Sequence, residues 1–219
     1  MPGKLPPAIF VSGSLGVDFL NSVAIPVDAV VDWISDGQGF LDWLKQAGLL
    51  TANDLSTIQA NFSARELDRI ALRARELREW FRDFVKTHQG KTLSPRTLAR
   101  LGPLNELLGR DQIFLSIVPK AGPSLDKSDG SSPLIFRLRP RRRWRTPESV
   151  LAPVAEELAR AICSLNFKYL KACEGKNCTL SFYDETRRHK RRWCIMAVCG
   201  NRAKQEAYRK RLAKYRRTK

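Results

Sequence analysis

Residues 173–199 read CEGKNCTLSFYDETRRHKRRWCIMAVC and contain two close cysteine pairs. Cys173 and Cys178 have four residues between them, as do Cys194 and Cys199, and 15 residues separate the two pairs. This layout is typical of a tetrahedral Zn²⁺ site, because each pair can lie on a turn that directs two sulfurs toward one ion. We therefore expect one zinc ion per chain. The alternative, four ordinary cysteines, is disfavoured because the segment is polar and has little apolar material.

The expected zinc site is structural rather than catalytic. Four thiolate ligands leave no open position for a water molecule, and a catalytic zinc ion keeps one. The deaminase pattern His-x-Glu followed by Pro-Cys-x-x-Cys is also absent from the sequence. The chain is therefore not expected to be an enzyme. Asp18 and Asn21 leave an alternative open, since both lie on one short segment that could line a pocket, although such residues more often cap a helix or bind backbone.

The residues around the cysteines predict a small treble-clef-like or ribbon-like zinc finger. Leu180, Phe182 and Tyr183 are typical of a strand, and Trp193 and Ile195 of a strand that returns beside it. From Asn201 the sequence is helical, with most positions basic. A narrow apolar stripe lies on one side of this helix, and a solvated helix packed by that stripe is the alternative to a helix that binds nucleic acid; the stripe consists of Ala203, Ala207, Tyr208, Leu212 and Tyr215.

The positive charge is concentrated in the same region. The 219-residue chain has a net charge of +17, and residues 173–219 contain 15 of its 39 Lys and Arg residues but only four acidic ones. Such a bias indicates a polyanionic partner, although a solvated basic surface is the alternative. A membrane-surface helix is disfavoured because large aliphatic residues are few. The expected phosphate contacts are Arg187, Arg188, Arg191, Arg202, Lys204, Arg209 and Arg211.

The preceding part of the chain predicts a mostly helical domain with one β-hairpin, so the fold class is α+β and mostly α. Ser63 and Glu66 form a capping-box pattern before the clearest helix. Another helix is expected over residues 94–108, distorted at Gly102-Pro103, with Leu98 and Leu104 among its inward residues. Two strands, Gln112–Val118 and Leu134–Leu138, form the hairpin, and the polar loop 120–132 between them is expected to be mobile. We place the N-terminal domain at residues 1–168 and the zinc finger at 169–219.

Two stretches carry a family resemblance. The sequence RRWCIMAVCGNRAK at residues 191–204, with Cys173 and Cys178 before it, closely resembles the CGNR zinc finger. LGVDFLNS at residues 15–22 resembles the ABATE domain, which accompanies that finger in bacterial stress-induced transcription regulators; Ser22 stands where we expect threonine and keeps the hydroxyl. The resemblance implies zinc binding through Cys173, Cys178, Cys194 and Cys199, and a DNA-binding role.

These observations favour a DNA-binding transcription regulator whose N-terminal domain senses a small-molecule ligand or forms a homodimer. Binding to RNA or the ribosome is an alternative, because the aromatic residues among the basic ones could stack on unpaired bases; they are Phe182, Tyr183, Trp193 and Tyr208. A protein-interaction module with purely structural zinc is another. We expect a cytoplasmic, nucleoid-associated protein, because the sequence has no apolar run of about 18 residues and no signal-like start.

A second basic cluster, residues 137–145, leaves two interpretations open. Its arginines could extend the phosphate-binding surface, or they could neutralise Glu156 and Glu157.

Overall fold

A computed structural model describes residues 5–25, 29–120 and 135–217 of the chain. Within these ranges seven α-helices occur, namely α1 (Leu15–Leu20), α2 (Gly37–Gln46), α3 (Ala52–Asn61), α4 (Ala64–His88), α5 (Gly102–Gly109), α6 (Ala152–Ser164) and α7 (Asn201–Arg217). The described strands pair as three antiparallel hairpins, namely β1 (Val23–Ala24) with β2 (Val31–Asp32), β3 (Ile113–Pro119) with β4 (Phe136–Arg142), and β5 (Leu170–Ala172) with β6 (Ser181–Tyr183). The predicted class, α+β and mostly α, is confirmed.

Helix α4 is the longest helix and begins at the predicted capping box. The Glu66 N–H donates to the Ser63 hydroxyl at 3.4 Å, and the Glu66 carboxylate accepts from the Ser63 N–H at 2.8 Å. These bonds satisfy two of the backbone donors that a helix start leaves unpaired. The inner face of α4 then places Phe81 and Phe84 in the core, with exposed fractions of 0% and 1%.

Helix α1 is short and packs closely on α6. A Cβ atom at Gly16 would lie 2.6 Å from the Glu157 carbonyl oxygen, so only glycine permits this approach of the two backbones. The Phe19 ring meets Trp43 of α2 edge to face, with 5.5 Å between the ring centroids. The same apolar cluster continues through Phe182 of β6, so the N-terminal domain and the zinc finger share one core.

The single helix predicted over residues 94–108 is wrong. A 3₁₀ helix spans Pro95–Arg100, and α5 begins only at Gly102. Pro103 lacks an N–H donor and therefore suits the first turn of a new helix rather than the middle of a long one. The break turns Leu98 away from the core, leaving it 69% exposed, whereas Leu104 is buried as expected.

The predicted hairpin is confirmed as β3–β4, although β4 continues to Arg142, beyond the predicted end at Leu138. One face of the hairpin is apolar and exposed. Paired residues of an antiparallel ladder point to the same side, and Ile117 pairs with Leu138. Five large residues on this side are each more than half exposed; they are Ile113, Leu115, Ile117, Phe136 and Leu138, here called the apolar face. The loop expected to be mobile, residues 120–132, lies outside the described residues from position 121 onward.

Candidate zinc centre and its basic surface

The β5–β6 hairpin and the start of α7 bring the four cysteines together. Cys173 and Cys178 lie between the two strands, Cys194 lies just before the π turn Met196–Gly200, and Cys199 lies within that turn, which leads into α7. The expected returning strand at Trp193 is not present, and β6 pairs with β5 instead. The Cys194 N–H donates to the Cys173 sulfur at 3.3 Å and is therefore unavailable for a strand ladder. A hairpin turn and a helix start thus supply two sulfurs each, as in a treble clef.

The sulfur atoms have the spacing of a tetrahedral zinc site. All four lie within 4.8 Å of one another, and the Sγ atoms of Cys178 and Cys199 each lie 3.7 Å from that of Cys194. Zinc–sulfur bonds of about 2.3 Å at tetrahedral angles place neighbouring sulfurs about 3.8 Å apart. The cluster therefore fits a zinc ion without rearrangement of the chain.

The ionisation of the thiols shows why the cluster requires a cation. The hydrogen bond with Cys194 lowers the pKa of Cys178 to about 5. The same hydrogen bond, burial and the nearby thiolate raise the pKa of Cys194. Burial raises the pKa of Cys199 to about 11. A second negative charge is therefore costly in the isolated cluster, and a divalent ion removes that cost when all four ligands bind as thiolates.

The backbone around the sulfur cluster also suits metal binding. Both the Gly175 N–H, at 3.4 Å, and the Cys194 N–H point at the Cys173 sulfur. Such donors orient a thiolate ligand and stabilise its charge. A Cβ atom at Gly175 would lie 3.0 Å from the Cys199 sulfur, so a side chain there would crowd the site.

The N-terminal domain is attached to the finger by residues close to α1. The Tyr183 N–H of β6 donates to the Ser12 carbonyl at 2.9 Å. The Asn21 amide makes two bonds to the Ser181 backbone, each 2.9 Å long. No local pattern in the sequence predicts this junction, although Asn21 lies in the LGVDFLNS stretch that carries the family resemblance.

Asp18, the other candidate pocket residue, is also used by the backbone. Its Oδ1 atom accepts from the N–H groups of Val11 and Ser12 at 2.9 and 3.0 Å. Burial raises the pKa of the Asp18 carboxyl, although these bonds oppose the shift. With Asn21 bound to Ser181, both side chains have the backbone role that was the alternative to a pocket.

A buried carboxylate organises the loop between the cysteine pairs. Asp184 accepts hydrogen bonds from the Lys171 ammonium at 2.7 Å, the Thr186 hydroxyl at 2.6 Å and the Arg191 N–H at 2.9 Å. Burial by itself would raise the pKa of Asp184, but these bonds outweigh it and lower the pKa to about 2. His189 in the same loop stacks on Tyr169, with 3.5 Å between the ring centroids.

Arg191 does not belong to the expected set of free phosphate contacts. Its guanidinium donates to the carbonyl oxygens of Trp193, Val11 and Cys194. It also lies over the Phe182 ring, 4.3 Å from the centroid. The side chain is therefore committed to joining the finger to the N-terminal domain. The pattern of consecutive basic residues could not separate it from its neighbours, because this role depends on carbonyl groups distant in sequence.

The remaining predicted phosphate contacts are exposed. They are Arg187, Arg188, Arg202, Lys204, Arg209 and Arg211. In the described part of the chain, none of these six forms an ion pair or a side-chain hydrogen bond. Their phosphate contacts stay a prediction.

Helix α7 stands away from the core. Two residues of its apolar stripe are exposed, Tyr208 at 58% and Leu212 at 40%, which disfavours the alternative of a helix packed by that stripe. The helix starts beside the zinc site, where the Asn201 Nδ2 atom donates to the Ala197 carbonyl at 3.1 Å. The contact links the helix to the π turn, so the metal site sets the position of the helix start.

None of the described helices combines the length and the apolarity needed to cross a membrane.

The fold and the cysteine cluster define a class of protein: a helical domain joined to a four-cysteine zinc finger. Comparison with family models matches residues 13–165 to ABATE, described as "Putative stress-induced transcription regulator", and residues 169–212 to the CGNR zinc finger. The chain therefore belongs to the ABATE family, and Cys173, Cys178, Cys194 and Cys199 form the ligand set of one structural zinc ion. Comparison with curated proteins finds no match.

Proposed function

We propose that this chain is a DNA-binding transcription regulator whose zinc finger holds a basic helix against the phosphate backbone. The observation that carries the proposal is the composition and position of α7. This 17-residue helix contains eight Lys and Arg residues and one acidic residue, and it leaves directly from the zinc turn. Family membership supports the same role.

The dimensions of α7 suit duplex DNA. A helix of 17 residues is about 26 Å long, and the major groove, about 12 Å wide, admits an α-helix. Arginine and lysine contacts to phosphates position a protein without reading sequence. Asn201 and Gln205 are the amide side chains of α7, and the Asn201 Nδ2 atom is occupied by Ala197. We therefore propose phosphate contacts with weak sequence preference.

The aromatic residues favour duplex DNA over single-stranded RNA. Stacking on unpaired bases requires exposed rings. Phe182 is 0% exposed and lies under Arg191, and Trp193 is half-buried with the Arg192 guanidinium 5.0 Å from its ring centroid. Of the aromatic residues that suggested RNA binding, Tyr208 has a largely exposed ring.

Binding of the zinc-loaded full chain to a labelled duplex of about 30 base pairs tests the proposal, with a single strand of equal length as competitor. We expect the affinity to fall steeply as salt rises, because phosphate binding releases counterions. Stronger competition by the single strand would support the RNA alternative. An absence of nucleic-acid binding at low salt would support a protein-interaction module and overturn the proposal.

We also propose that the chain acts as a homodimer through the apolar face of β3–β4. Its five side chains offer on the order of 600 Å² of surface, most of the about 800 Å² per partner in a standard interface. They are uncharged, so a second copy can cover them about a two-fold axis without burying an unpaired charge.

We also propose that the N-terminal domain binds a small-molecule signal. The candidate site is the cleft of about 470 Å³ beside Arg110, Asp111 and Glu148.

We further propose that the chain is a non-catalytic regulator and that it is located in the cytoplasm, where it associates with the nucleoid. The saturated sulfur ligand set and the backbone roles of Asp18 and Asn21 support a non-catalytic role.

A further inference from the structure

The arginines on the two faces of strand β4 make different contacts. Arg137, Arg139 and Arg141 pair across the hairpin with Val118, Ser116 and Phe114, so these three arginines point to one side. Arg143 continues the alternation, and its guanidinium lies over the Phe114 ring, 4.7 Å from the centroid. We call this side of the hairpin the arginine face; it consists of Arg137, Arg139, Arg141 and Arg143.

The neighbouring Arg142 shows the contrasting case. It points to the other side of β4 and forms ion pairs with Asp111, at 2.9 Å, and with Glu156. Neutralisation by acidic residues was one interpretation of the whole basic cluster at residues 137–145. The ion pairs show that it applies to Arg142. Among the described residues, Arg137, Arg139 and Arg143 have no ion pair. Partial burial raises the pKa of Asp54, but hydrogen bonds from Thr51 and Trp144 outweigh it and lower the pKa, and the charge of Arg141 adds to this lowering without a direct ion pair.

Uncompensated charges in this arrangement do not stabilise the hairpin. Alternate residues of a strand are about 6.7 Å apart, and like charges at that distance repel. Arg137, Arg139 and Arg141 also line a cleft of about 500 Å³, whose other side includes Thr51 and Asp54 of the α3 start and Glu156 of α6. Arg137, Arg139 and Arg143 are exposed to solvent, so an external anion can reach them.

From this geometry we infer that the arginine face is a second phosphate-binding surface, which contacts the backbone of duplex DNA beside the zinc finger. The inference rests on the proposed function and deepens it. Arginines about 6.7 Å apart along a strand can each reach a phosphate of one DNA strand, whose phosphates follow one another at about 3.4 Å along the helix axis, and a guanidinium can donate two hydrogen bonds to the oxygens of one phosphate. A two-stranded ribbon can lie along a DNA groove.

An anionic membrane fits the hairpin less well. A membrane surface takes cationic and apolar side chains from the same side of a protein segment. Here the arginine face and the apolar face lie on opposite sides of one two-stranded sheet, so a flat bilayer cannot contact both. DNA on the arginine face leaves the apolar face available for a second copy of the chain.

The test compares two charge-matched variants of the zinc-loaded full chain. The first is Arg137→Gln plus Arg139→Gln. The control is Arg96→Gln plus Arg100→Gln, which removes two exposed arginines outside the hairpin that have no ion pair with any described residue. Affinity for a duplex is measured at several salt concentrations, with zinc content and thermal unfolding confirming that each variant is folded.

We expect the hairpin variant to reduce the slope of log affinity against log salt by about 1.8, because each lost phosphate contact contributes about 0.9. The control should keep the slope of the parent. Equal slopes for the two variants would overturn the inference, as would a loss by the hairpin variant of binding to vesicles containing phosphatidylserine without any change on DNA.

Failure of the second phosphate-binding surface can be distinguished from failure of the proposed DNA-binding function. If the parent binds DNA and Arg202→Ala plus Arg209→Ala weakens it while the hairpin variant does not, only the second surface is wrong. If the parent binds no DNA at low salt, both proposals fail.

Discussion

The side-chain amide of Asn21 forms two hydrogen bonds with the backbone of Ser181, one to its carbonyl oxygen and one from its N–H, each 2.9 Å long. Asn21 follows helix α1 of the N-terminal domain, and Ser181 begins strand β6 of the zinc finger. The amide therefore takes the place of a neighbouring strand along β6. Asn21 is only 1% exposed, so water cannot replace it. Stability of the finger should depend on this residue as well as on the metal.

Replacing Asn21 by alanine is expected to lower the free energy of unfolding by about 1–3 kcal/mol, because it leaves the Ser181 N–H and carbonyl unpaired in a buried site. The variant should also lose zinc to a chelator faster than the parent. Urea unfolding and a colorimetric zinc-release assay measure the two effects. Asn105→Ala, which changes an exposed asparagine of α5, is the control. Equal stability of Asn21→Ala and Asn105→Ala would show that the junction contributes nothing.

Metal analysis of the purified chain should find close to one equivalent of zinc. The double variant Cys173→Ser plus Cys199→Ser should lose it, whereas Cys163→Ser should keep it, because Cys163 lies on α6 outside the sulfur cluster. Zinc binding contributes about 10–16 kcal/mol in comparable finger peptides, so chelation should unfold the finger. The N-terminal domain should remain helical by circular dichroism, since its own helices supply most of the shared core. Full zinc retention by the double variant would contradict the ligand assignment.

Replacing Arg202 and Arg209 by alanine is expected to weaken DNA binding to a similar extent on unrelated sequences. The salt slope should fall by about 1.8 and the zinc content should stay at that of the parent. Arg96→Ala plus Arg100→Ala is the matched control. Unchanged binding at every salt concentration would place the phosphate contacts elsewhere, whereas loss of one preferred sequence alone would mean that these arginines read bases.

Arg78 is expected to stabilise the N-terminal domain in a pH-dependent way. Its guanidinium, 4% exposed as a residue, donates to both carboxylate oxygens of Asp32 and to the Ser22 hydroxyl. Partial burial raises the pKa of Asp32, but the bonds and charge of Arg78 outweigh it and hold the pKa below 3.8. The ion pair therefore stabilises the fold above that value and loses its effect as the pH falls and Asp32 is protonated.

Arg78→Ala should accordingly cost about 3 kcal/mol at pH 7, where Asp32 is left charged and unpaired. The difference between variant and parent should shrink below the ordinary pKa of Asp32. Urea unfolding at pH 7 and pH 3 measures both values. A difference that is constant with pH would assign the cost to lost packing rather than to the ion pair.

Replacing Ile117 by aspartate should convert the proposed dimer into a monomer. Ile117 is 72% exposed at the middle of the apolar face, so the change should not disturb the core, but it would bury a charge in the dimer. Light scattering should report about 50 kDa for the parent, twice the 24.9 kDa of one chain, and half of that for the variant. Leu98→Asp, which introduces the same charge at an exposed aliphatic residue outside the hairpin, should remain dimeric. A monomeric parent at micromolar concentration would refute the dimer.

Local patterns predicted those features that depend on residues close in sequence. The Ser63 and Glu66 capping box, the β3–β4 hairpin and the zinc ligands all belong to this group. A cap forms from side chains three residues apart, and each pair of cysteines lies on one turn. The family resemblance correctly predicted an ABATE domain followed by a CGNR zinc finger for the same reason, since it rests on short continuous motifs.

Features of the finger that depend on distant partners could not be predicted from local patterns. The prediction of a strand at Trp193 is wrong, because the Cys194 N–H binds the Cys173 sulfur. Arg191 resembles its basic neighbours in sequence, but its side chain is bound by carbonyl groups from residues 11 and 194. The exposure of the stripe on α7 also required the structure, because a helical period cannot tell whether another surface lies opposite.

The sequence alone determined the zinc site, the mostly helical class, the two-part organisation and the family, because spacing and composition suffice for metal ligands, caps and helical periods. Tertiary structure decided which charges are free. It placed Asp111 and Glu156 beside Arg142, carbonyl groups around Arg191, and no ion-pair partner among the described residues beside Arg137 and Arg139. Neutralisation of a charge depends on distances of a few ångströms between residues far apart in the chain, so only the folded structure separates a structural arginine from a binding one.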